Sequence, residues 1–150
     1  MPIKFNKIGV ITNMKNKLDE QKVNVRIKLA TLWTSFMFLY IYVDYFHLYM
    51  PGTLEDILNG RVFTFDITQG FIFTALFLAI IPMLMIFFSV ALPAKVNRLT
   101  NMIVATALIP YMLFNLVGEA WAHMFLAAFV EVFLLVLIIR YAKRWPTLQK

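Results

Sequence analysis

The chain has 150 residues, of which 61% are hydrophobic and only 15% charged, and it carries a formal charge of +6 with no cysteine. That balance is far from a soluble domain and fits one membrane-embedded unit, while the missing cysteines exclude disulfides, thiolate zinc sites and redox pairs. The basic residues flank apolar runs instead of forming one block, which points to anionic lipid headgroups and topology and away from nucleic acid.

In chain order, residues 1–25 read as a basic extension and residues 26–150 as a transmembrane domain. Within Met1 to Lys22, Ile8, Ile11, Met14 and Leu18 recur at helical spacing, so this segment is either a short surface helix or a solvated tail. The first apolar run begins too late, and its lead is too polar, for a cleavable signal peptide. Val23, Val25, Ile27 and Leu29 alternate with polar residues but have no second strand nearby. The reading there is an extended lead that turns helical near Arg26.

Four apolar runs follow: Leu29 to Met50, Phe71 to Leu92, Met102 to Gly118 and Ala120 to Ile139. Each holds about 17 to 22 residues, against about 20 needed for a helix to cross the hydrocarbon. Pro51-Gly52 ends the first sharply. Thr53 followed by Asp56 predicts an N-cap and Gly60 a C-cap, bounding a short helix over Leu54 to Asn59. Phe63, Phe65 and Ile67 alternate with Thr64 and Asp66, an extended stretch, and Thr68 can cap the second run. The third and fourth runs form a tight hairpin around Gly118 and Glu119. The fold class is therefore all-α, a four-helix transmembrane bundle whose outer loop carries a short helix.

Charge fixes the expected orientation. Of the 14 lysines and arginines, only Arg61 falls in the loops opposite the termini, beside Glu55, Asp56 and Asp66. Lys95 and Arg98 share the side of the two terminal segments. The positive-inside rule then places both termini in the cytoplasm.

Several of these residues resemble a family. Tyr42-Val43-Asp44, Pro51-Gly52, Gly60, Ile67-Thr68, Ile81-Pro82 with Met85 and Ser89, and Asn97-Arg98 with Asn101 are similar to an uncharacterised family of small bacterial four-helix membrane proteins, a domain of unknown function. The resemblance covers Lys28 to Tyr141 and leaves the N-terminal extension outside. It implies a multi-pass protein of the bacterial inner membrane and brings no activity. Many members carry an acidic residue shortly before the Ile-Pro pair, where this chain has Ala79 and Ile80.

Ionisable groups at mid-bilayer cost about 2.5 to 3.5 kcal/mol on insertion scales, so each one needs a reason. Glu131 lies about 13 Å along its helix from Arg140, near the midplane. Asp44 lies about 24 Å from Lys28, in the outer third, with His123 at nearly the same level and His47 one turn further out. Trp33, Met37, Tyr40, Asp44 and His47 share a stripe on the first helix, and His123, Ala127 and Glu131 share another on the fourth. Asp44, His47 and His123 are expected to converge beneath the outer surface. They read either as an interfacial polar cap or as a proton or ligand site. Metal binding is not expected, because the i, i+4 histidine pair of metallohydrolases is missing.

Pro82 predicts a kink in the second helix, and Pro110 lies level with Glu131 on the third. Each proline leaves the carbonyl four residues earlier without its donor. Burial disfavours a carboxylate, so a neutral Glu131 could donate to such a carbonyl or to a trapped water. Tyr40, Tyr42, Tyr45 and Tyr49 read as an interface belt, and Asn97 and Arg98 as anchors of the cytoplasmic turn.

No nucleophile–base pair or metal triad can be assigned, so no catalytic residue and no cofactor is expected. Three function classes remain. The leading one is a membrane-embedded module that binds or conducts a proton, a cation or a small amphiphile, with homo-oligomerisation expected because four spans make thin walls. The second is an accessory subunit holding a partner membrane protein. An enzyme acting on lipid or quinone comes last.

Overall fold

The computed structural model describes residues 22–118 and 120–146. They form α1 (Val25–His47), α2 (Thr53–Leu58), strands β1 (Arg61–Val62) and β2 (Phe65–Asp66), α3 (Gln69–Ala91), α4 (Ala94–Phe114) and α5 (Ala122–Lys143). The expected surface helix before Lys22, and Glu119 in the hairpin, lie outside the described residues.

Local chemistry sets most boundaries. The Asn24 side chain accepts the Arg26 backbone N–H at 3.0 Å and starts α1 at Val25. The alternation that follows is absorbed into a helix, since a lone strand has no ladder partner. Thr68 caps α3 as expected, its hydroxyl accepting the Phe71 N–H at 3.1 Å. Thr53 does not cap α2. That position falls to Gly52, whose left-handed φ of 88° makes the sharp turn after Pro51, and Thr53 becomes the first helical residue. The stretch expected to be simply extended folds back on itself, pairing Arg61 with Asp66 and Val62 with Phe65 in an antiparallel hairpin.

α1, α3 and α5 are long and apolar enough to cross a membrane. α4 matches their length at 21 residues, but Lys95, Asn97, Arg98, Thr100 and Asn101 occupy its opening turns. The helix therefore starts well before Met102, where its apolar run begins. Pro93 precedes it directly, a residue that cannot continue α3 and suits a helix start.

α1 lies at the centre, packed on α3 on one flank and on α5 on the other, and α4 packs on α5. Leu29, Trp33, Phe36 and Met37 of α1 meet Met85 of α3, Ala105, Leu108 and Met112 of α4, and Leu135, Ile138 and Ala142 of α5 in one core. Ala105, Ala127, Ala128 and Ala142 are buried, and their small side chains let the α4 and α5 backbones approach. The buried residues of α3 are Pro82, Met85 and Ser89, all in its second half. Its first half, with Phe73, Leu76 and Phe77, is exposed. α3 therefore grips the rest at one end and leaves a groove beside α1 at the other.

Candidate functional site

The α1 stripe runs from core to surface: Trp33 and Met37 are buried, Tyr40 and His47 half-buried, and Asp44 exposed. From α5, Glu131 reaches toward the same region and is only 5% exposed. The Tyr40 phenol approaches that of Tyr111 on α4, and the Asp44 and Glu131 carboxyl groups both lie close enough to act on it electrostatically. Asp44 is likewise the charged neighbour that acts on Glu131. Four polar side chains from three helices thus share one neighbourhood. Two carboxyl groups so placed repel each other when both are charged.

Among the described residues the basic group acting on this pair is His47, one turn beyond Asp44, and no lysine or arginine does so. Pro82 is buried inside α3, whereas Pro110 sits on an exposed face of α4.

The histidines divide. The His47 ring lies 5.0 Å from that of Phe63, and it lines a cavity of about 120 Å³ with Asp56 and Arg61. His123 stands 6.0 Å edge-on from Trp121, and its buried Nε2 has no hydrogen-bond partner among the described residues. Asp44 has His47 and Glu131 as its charged neighbours, and His123 is not among them. Among the described residues no three metal-ligating side chains stand together.

Beside the pair, Met37, Tyr40, Ile41 and Asp44 of α1 face Leu76, Ala79, Ile80 and Met83 of α3 across a groove of about 310 Å³. Asp44 is the one charged side chain lining it. Ala79 and Ile80, where the family resemblance led one to expect an acid, make the opposite wall apolar.

A second polar constellation escaped the sequence reading. Trp33, Ser89, Asn97 and Asn101 are each fully buried. The Trp33 Nε1–H donates to Asn101 Oδ1 at 2.7 Å, and the Ser89 hydroxyl donates to the same oxygen at 3.2 Å. The Asn101 amide donates to the Asn97 carbonyl and to Asn97 Oδ1, and the Asn97 amide donates to the Ser89 carbonyl at 2.7 Å. Asn97 is therefore an interior tie between α3 and α4, whereas Arg98 alone is exposed as a turn anchor would be. The available signal was the i, i+4 asparagine pair, which puts two amides on one helix face. With each buried polar side chain holding at least one partner, the network ties the helices together.

No curated protein and no solved structure matches the chain. A family model does, and it extends beyond the motifs between Lys28 and Tyr141 toward both ends. Its match runs over residues 16–149, and the chain belongs to that family, described as Family of unknown function (DUF6326).

Proposed function

We propose that the chain is a four-span protein of the bacterial inner membrane, a binding module in which Asp44 and Glu131 together hold a proton or a cation. α4 serves as the third span, its buried Asn97 and Asn101 satisfied internally, and both termini lie in the cytoplasm. Residues 1–25 form a basic extension on that side, facing anionic headgroups. Exposed Phe73, Phe77, Leu126 and Phe129, each more than half accessible, support a lipid environment, because water-soluble monomers rarely expose so many large apolar side chains.

The observation that carries the reading is Glu131 itself. It is 5% exposed, its charged neighbour is another acid, and no lysine or arginine among the described residues offsets it. Such a group inside a membrane is costly unless it is protonated or paired with a mobile cation. Infrared difference spectroscopy on the protein in lipid, stepped in pH, tests this. A protonated-carboxyl band that disappears in Glu131→Gln is expected. A band set unchanged by that substitution, or Glu131 ionised at neutral pH with no cation present, overturns it.

A further inference from the structure

We propose that the groove between α1 and α3 is the ligand entrance, and that it takes an amphiphilic organic monocation from the lipid, seating its charge at Asp44 and its apolar body along α3. This rests on the acidic-pair reading and adds the ligand class to it.

The groove and this ligand class are complementary in size, polarity and charge. About 310 Å³ lies at the small end of the usual range for small-molecule sites. The α3 wall of Leu76, Ala79, Ile80 and Met83 has no charged or hydrogen-bonding side chain, so it suits an alkyl or aryl body. On the α1 wall, Asp44 supplies one negative charge one helical turn beyond Tyr40, whose ring can receive a cation on its face. An inorganic ion would find one carboxylate and a phenol there, too few oxygens to replace its water. An anionic amphiphile would meet Asp44 as a like charge. A dication would have no second acid within the groove, since Glu131 lies behind it on α5.

The titratable groups facing Asp44 are Tyr40 and His47 on its own helix and Glu131 on α5, with Tyr111 of α4 reached through Tyr40; α3 brings none to the groove. A monocation at Asp44 relieves the repulsion between the two carboxyl groups. The cation takes the place of a proton on the Asp44 carboxyl group, so that one cation enters, one proton leaves and Glu131 keeps its own proton.

The experiment uses the full chain in lipid nanodiscs with tetraphenylphosphonium as probe and neutral triphenylphosphine oxide as its uncharged counterpart. Wild type is expected to bind the cation at least about tenfold more tightly than the neutral compound. Binding should raise the signal of a pH dye by released protons. Asp44→Asn should lose that preference, and Ala79→Phe, which fills the groove, should weaken binding about tenfold or more. Ala79→Leu stands in if the phenylalanine variant does not elute as folded protein. Equal binding of both probes, or cation binding unchanged in Asp44→Asn and in the groove-filled variant, overturns the proposal. If the cation fails to bind while the Glu131 infrared band still titrates, the ligand class falls and the acidic pair stands. Asp44-dependent binding without a Glu131 band leaves the groove proposal intact and removes the neutral Glu131.

Discussion

Trp33 and Asn101, 68 positions apart, meet through one 2.7 Å hydrogen bond between two fully buried side chains. The bond ties α1 to α4, two helices that otherwise pack mainly on α5 and α3 rather than on each other. Asn101 uses both amide hydrogens and accepts twice at its oxygen, so its bonding capacity is filled.

Removing one partner should therefore cost more than a hydrogen bond in water would suggest. Trp33→Phe deletes the donor and leaves a small void, and is expected to destabilise by about 2 kcal/mol. Asn101→Leu orphans the Trp33 N–H together with polar groups of Ser89 and Asn97, at a cost of about 2 to 3 kcal/mol. Unfolding of the detergent-solubilised variants measures both. If Asn101→Leu unfolds with wild type, the network does not stabilise the fold.

Orientation has a direct test, because the chain contains no cysteine. In the proposed topology, a cysteine at Leu58, which is 88% exposed, reacts with an impermeant maleimide added to intact cells. One at exposed Val96 reacts only after permeabilisation. Labelling of Val96 from outside would reverse the orientation.

Small residues between α4 and α5 should be sensitive to volume. Ala105 is fully buried, so Ala105→Leu is expected to destabilise by about 1 to 3 kcal/mol through overpacking. Ala107, two positions along and exposed, serves as the control, and Ala107→Leu should leave thermal stability unchanged. Equal shifts in the two variants would mean the α4–α5 contact is loose.

Gly118 isolates a backbone effect. Its φ is 86°, and a Cβ built there meets nothing within 4 Å. Gly118→Ala should therefore cost about 1 kcal/mol through conformation alone, with Gly118→Asn milder because asparagine tolerates the left-handed region. A melt showing alanine equal to glycine would indicate that the α4–α5 turn relaxes to another conformer.

The long helices, the stop at Pro51-Gly52, the Thr68 cap and the short α2 were legible because each depends on residues a few positions apart. Length and hydropathy depend only on composition, and caps only on the nearest backbone donors. The sequence by itself thus determined which segments form the long helices and where most of them begin and end. Rotation of each helix about its axis was a different matter. α3 and α5 are apolar nearly all round, so periodicity gives little sign of which face turns inward. Only tertiary packing decided that Asn97 and Asn101 face Trp33 and Ser89, that the first half of α3 stands open beside α1, and that Glu131 has Asp44 for its charged neighbour. Those relations join residues far apart in the chain, and side chains on neighbouring helices set them through volume and hydrogen-bond satisfaction.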